Sequence, residues 1–134
     1  MEMREKEFDF WQDHSLRFLE MAFRADRRER LEHPDGYGKR TGVCGDTVEM
    51  FLSLCHGRIQ AICFMTDGCI NTNACANTVA QLAETRNMDQ AWKITPEQVI
   101  SYLETLPPEK THCAELAVGA LYLALADARR HPFK

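Results

Sequence analysis

Residues 43–66 read VCGDTVEMFLSLCHGRIQAICFMT, and their pattern decides the fold. Two runs of alternating character flank His56-Gly57. A two-residue link that includes a glycine able to take positive φ is a hairpin signal. The turn sets a register: Leu54 faces Ile59, Leu52 faces Ala61, Met50 faces Cys63 and Val48 faces Met65. That face is wholly apolar, so it is expected to be the core face. Cys63 lies on it and reads as a small buried hydrophobe. Cys55 sits beside the turn on the mixed face and reads as incidental.

Working outward, residues 8–31 read as a helix. Phe8, Trp11, Ser15, Phe18, Ala22 and Ala25 recur at helical spacing, and Leu19 and Phe23 widen the stripe. RADRRERLE mixes both signs of charge and reads as a solvated helix end. HPDGYG then marks a turn region. Beyond the hairpin, INTNACANTVAQLAET reads as a helix and Met88–Lys93 as a short one. In ITPEQVISYLETL, Thr95 can cap, Pro96 sits at the first helical position and Gln98 completes a capping box. LPP stops that helix, and a last one runs from about Cys113 to Arg130. The fold class is α+β, a small antiparallel β-sheet with helices packed on one side. One domain is expected over residues 1–134, with the N-terminal helix at about 8–31, the sheet at about 37–66 and a helical part at 69–130.

A chain of 134 residues suits one core. A net charge of -4 argues against a general nucleic-acid binder. MEMREKEFDFWQDH is charged from its second residue and shows no signal-peptide core, and no apolar run approaches a membrane span. A cytoplasmic protein is therefore expected. In a reducing compartment its six cysteines are packing residues or reactive and metal-binding thiolates, not a disulfide framework.

Three cysteines fall at element boundaries. Cys44 enters the first hairpin strand, and Cys69 and Cys113 each open a helix. Unpaired N–H groups at a helix start favour a thiolate, which lowers the thiol pKa. Asp46 lies two residues beyond Cys44, so on a strand both point to one face. His112 adjoins Cys113. Cys44, Asp46, Cys69, His112 and Cys113 together offer thiolates, an imidazole and a carboxylate, a set that zinc or an iron–sulfur cluster accepts. Cys75, six helical residues on from Cys69, lies about 120° around the axis, so the two do not easily face one metal, and core is the reading favoured over a fourth sulfur ligand. It shares a stripe with Val79, Leu82 and Ala83 and reads as core.

CGD in a strand, DGC before a small-residue helix and LPPEKTHC before a terminal helix occur here in that order. The three blocks resemble the IscU/NifU-type iron–sulfur cluster assembly scaffolds, over about two-thirds of the chain. The resemblance implies a non-enzymatic carrier. It would build a transient two-iron, two-sulfur cluster on Cys44, Cys69 and Cys113 and pass it to apo-proteins, taking sulfur as persulfide from a cysteine desulfurase. Asp46 matches the family aspartate that ligates metal and makes the cluster labile. His112 matches a further metal-ligand position, and Cys113 the persulfide acceptor. Leu106, Pro107, Pro108 and Lys110 match a motif that binds a dedicated chaperone. Glu109 replaces that motif's valine, and an acidic group would need new pairing in an apolar groove. Zinc could occupy the same site. The alternative readings are a zinc-binding sulfur-transfer protein and a divergent member that has lost assembly activity.

Overall fold

The computed structural model describes residues 14–130. In chain order these form α1 (Leu16–Phe23), β1 (Gly36–Thr41), β2 (Thr47–Cys55), β3 (Arg58–Asp67), α2 (Ile70–Ala83), α3 (Met88–Ala91), α4 (Pro96–Leu103) and α5 (Thr111–Arg129). A 3-10 turn at Pro108–Lys110 precedes α5. The sheet is antiparallel in the order β1-β2-β3. The last three residues of HPDGYG belong to β1 rather than to a turn.

The hairpin closes where expected, with φ of 53° at His56 and 77° at Gly57. Two successive positive φ values twist the turn in the sense of the paired strands. Leu54 faces Ile59, as the turn requires. The register then slips by one, because Gln60 is an extra residue between Ile59 and Ala61. Beyond this bulge Leu52 faces Ile62, Met50 faces Phe64 and Val48 faces Thr66. The expected pairings of Leu52 with Ala61, Met50 with Cys63 and Val48 with Met65 are thereby corrected. A one-residue slip exchanges the faces of a strand. Here it turns Ile62 and Phe64 into the core in place of Ala61 and Cys63, which buries far more apolar surface. Cys63 is buried, but on the opposite face of the sheet. There it pairs with Phe51, and its Sγ lies 3.6 Å from Glu29 Oε2. Burial, with the Glu29 carboxylate, pushes its thiol up to about 11.

The N-terminal helix is shorter than expected. Residues 8–13 lie outside the described residues, and α1 ends at Phe23. Ser15 caps its start, accepting from Phe18 N, and ties it to α4 through Leu103 O at 3.0 Å. Its far end meets asparagines of α2. Asn77 Nδ2 donates to Met21 O and Arg24 O, and Asn73 Nδ2 to Ala22 O. Carbonyls that a longer helix would use internally are thus satisfied from outside. The charged segment that follows runs along β3 instead. Phe64 N donates to Arg27 O at 2.9 Å, and Arg28 bridges Phe64 in parallel. Covering a bare strand edge removes a template for pairing with other chains. The expected capping box at Thr95 and Gln98 forms, with Pro96 at the first helical position.

The helices α2 and α5 pack on the face that carries Val48, Met50, Leu52, Ile62 and Phe64. The closest approach is between β1 and α5. A Cβ built on Gly38 would lie 2.4 Å from both Ala120 O and Ala124 N, and one on Gly36 would lie 2.4 Å from Ala124 O. These neighbours are helix backbone, which cannot step aside. Replacing Gly38 by alanine is therefore expected to push β1 off α5 and cost about 2 kcal/mol, the middle of the overpacking range. Urea unfolding at equilibrium measures this; a Gly38→Ala protein as stable as the native one would show that the approach is not tight.

Candidate metal centre

The β1–β2 turn, the start of α2 and the start of α5 converge at one end of the sheet. The turn is built by two glycines. Gly42 N donates to Asp46 O at 2.8 Å and Gly45 N to Gly42 O at 3.0 Å, with Gly45 at φ 93°. Cys44 therefore sits in the turn, not on a strand, and the expected alignment of Cys44 with Asp46 on one strand face does not occur. Asp46 instead reaches across to α2. Its Oδ2 accepts from Thr72 Oγ1 at 2.5 Å and from Cys69 N at 3.4 Å. This reach needs Gly68, where a Cβ would lie 2.5 Å from Asp46 Cγ and 2.6 Å from Oδ2.

The result is a cluster of three. One ligand atom each from Asp46, Cys69 and Cys113 lies within 4.8 Å of the other two. Bonds of ~2.0–2.3 Å from one first-row dication span nearly that separation, so a small rotation of the side chains would close them on an ion. Cys44 and His112 are not in this cluster. Cys44 is exposed at the tip of its turn, next to the fully exposed Val43. His112 lines a small cavity with Arg40, Gly42, Val43, Glu115 and Leu116. Both stand on segments that border the cluster, but neither aims a donor into it.

The two clustered thiols differ. Cys69 is the N-cap of α2 and is exposed. Partial burial pushes its thiol up, but donors at the open first turn, Thr72 and Asn71, outweigh this and leave the pKa lowered. Asn71 Nδ2 lies 3.6 Å from its Sγ. For Cys113 the helix-start position predicts a lowered pKa, and the structure corrects this. The residue is the third of α5, faces inward and is fully buried. Burial raises its pKa, and the charges of Cys69, Asp46 and Cys44 add to this. The Thr72 hydroxyl bond holds the Asp46 carboxyl below its ordinary value against partial burial, with help from the Cys69 amide and the Lys110 ammonium. A site with a carboxylate and an exposed thiol both shifted toward their charged forms, beside a second thiol held neutral by burial and its neighbours' charge, favours a cation.

The sequence matches the NifU-like N terminal domain over residues 30–134. The chain belongs to this family. Among its relatives, the IscU 1 scaffold protein for iron–sulfur cluster assembly of Archaeoglobus fulgidus is 34% identical over 99 residues, or 73% of this chain and 65% of that protein. The match thus spans just under two-thirds of that relative's length. The IscU scaffold protein of Haemophilus influenzae is 32% identical over 86 residues, 63% of this chain and 68% of that protein. A NifU-like N-terminal structure from Brucella abortus superposes with a TM-score of 0.71 at 18% identity, covering 87% of this chain and 94% of that one. At that identity it bears out the fold, an α+β sheet with helices on one side.

Within the family frame, Cys75 is core as expected: it is fully buried and stands outside the cluster. In the LPPEK segment the side chains divide. Leu106 is buried against the core, whereas Pro108 and Glu109 are exposed. Leu106 is therefore a packing residue in this conformation, not a contact offered to a partner. Sequence reasoning missed Thr72, which is fully buried at the heart of the cluster. Its position three residues after Cys69, one helical turn on, is the signal that could have found it. No described helix is long and apolar enough to cross a membrane.

Burial and pKa set an order of reactivity. At neutral pH iodoacetamide should alkylate Cys69 in the folded protein while Cys75 and Cys113 stay largely unmodified, and unfolding in urea should level the three. Peptide mass spectrometry reads the order; alkylation of Cys113 as fast as Cys69 would contradict the burial described.

Proposed function

We propose that this protein is a scaffold that assembles a labile iron–sulfur cluster and passes it to apo-proteins. The observation that carries the reading is the convergence of Asp46, Cys69 and Cys113 from three separate elements. Cluster and iron are cargo here, so the site has to bind and also let go. A carboxylate among thiolates is a harder, less matched ligand for iron–sulfur chemistry than a fourth thiolate, and it supplies an exchangeable position. Cys44 completes the thiolate set by a movement of its turn, which the flanking Gly42 and Gly45 permit. His112 is the further ligand if the start of α5 turns toward the cluster. The cluster type is two-iron, two-sulfur, and zinc competes for the same donors.

Sulfur would come as persulfide from a cysteine desulfurase, with Cys113 as acceptor. Since Cys113 is fully buried, that transfer requires a local opening that exposes its Sγ. Exposed Glu109 works against docking of LPPEK in an apolar chaperone groove.

Anaerobic reconstitution with iron, sulfide and a desulfurase, read by visible absorption, tests the proposal. Native protein should develop the chromophore and transfer it to an apo-acceptor, and Cys69→Ser should lose most of it. Stoichiometric zinc with persulfide turnover and no chromophore would favour the zinc sulfur-transfer reading instead. Asp46→Ala should hold its cluster several-fold longer; faster release from that variant would count against the labilising role of the carboxylate.

A further inference from the structure

We propose that Thr72 is a positioning residue for metal capture, acting through Asp46. The inference rests on the reading of Asp46, Cys69 and Cys113 as the metal site and adds a residue to it. Thr72 is fully buried, and its hydroxyl is central to the cluster: Oγ1 lies 2.5 Å from Asp46 Oδ2, 3.5 Å from Cys113 Sγ and 3.8 Å from Cys69 Sγ. A hydroxyl has one proton, so it cannot donate to Asp46 and Cys113 together. The much shorter contact assigns that proton to the carboxylate.

The consequence is directional. The Thr72 hydroxyl and the Cys69 amide both fall on Oδ2 of Asp46. Oδ1 is then the oxygen left to ligate an ion. Gly68 leaves the room this pose needs, since any Cβ there would collide with the carboxylate. Asp46 is carried at the end of the β1–β2 turn, outside the regular strands. Without the hydroxyl, the carboxylate would keep only the long Cys69 amide contact at 3.4 Å, the Cys69 thiol and the more diffuse pull of the Lys110 charge. Thr72 is thus a point on a helix against which a ligand from the β1–β2 turn is set. Residues that orient a ligand in this way commonly change metal affinity by ~10–100-fold when removed.

The experiment uses cobalt(II) as an anaerobic spectroscopic probe of the full chain. Thr72→Val keeps the shape and the buried methyl but removes the hydroxyl. It should bind cobalt(II) at least ~10-fold more weakly than the native protein, with ligand-field bands shifted toward those of Asp46→Ala. It should stay folded, with no more than the modest stability loss that one hydrogen bond implies. Thr72→Ser should recover the native bands. In the double variant Thr72→Val/Asp46→Ala, affinity should be no lower than in Asp46→Ala alone, because the hydroxyl acts only through the carboxylate. Native affinity and bands in Thr72→Val, or additive losses in the double variant, would overturn the proposal and leave the metal site standing. If the native protein and Cys69→Ser are alike in failing to bind cobalt(II), the metal site itself is wrong and the proposal falls with it.

Discussion

The arrangement depends on the close contact between β1 and α5. Gly36 and Gly38 bring strand backbone against the helix at Ala120, Ala124 and Ala128, at a distance no side chain would permit. That contact fixes where the β1–β2 turn hangs, and the turn carries Cys44 and Asp46. The same helix begins with His112 and Cys113. One steric constraint therefore sets the separation of two of the three elements that meet at the cluster. The third, α2, is held by a different device, its asparagines binding the carbonyl end of α1.

Polar residues inside α2 acquire a reason from this. A helix buried on almost every side would ordinarily be all apolar. Here Asn77, Thr72 and Thr78 are buried, and each makes a hydrogen bond: Asn77 through Nδ2 to carbonyls at the end of α1, although its Oδ1 has no partner among the described residues, Thr78 to Ala74 O within its own helix, and Thr72 to Asp46. Buried polar groups are tolerable when bonded. Two of these residues, Asn77 and Thr72, tie the helix to its neighbours, so the helix that presents Cys69 is positioned by hydrogen bonds as well as by packing.

The cluster joins groups of unequal readiness. Asp46 and Cys69 are biased toward their charged forms by hydrogen-bond donors, while Cys113 is biased toward its neutral form by burial. A cation reverses that bias on Cys113, because its charge offsets those of the other two. The exposed side of the site is the Cys44 turn, where Cys44 and Val43 both face solvent. The site is thus asymmetric, buried on the helix side and exposed on the turn side.

Much of this was legible in the sequence. Periodicity and caps located α2, α3, α4 and α5, and His56-Gly57 located the hairpin, because these signals are local. The three cysteine blocks, each with its own neighbours, pointed to the family and to Cys75 as packing. Tertiary structure alone decided the rest. The bulge at Gln60 chose which face of β3 is core, since burying Ile62 and Phe64 outweighs an unbroken ladder. Packing against α2 ended α1 early. Burial turned Cys113 from an expected reactive thiol into a shielded one. The partner of Asp46 proved to be Thr72, far away in sequence, and not Cys44 two residues before it. A local pattern records which side chains share a helix face or a strand face, but the contacts between elements depend on how closely their backbones can approach.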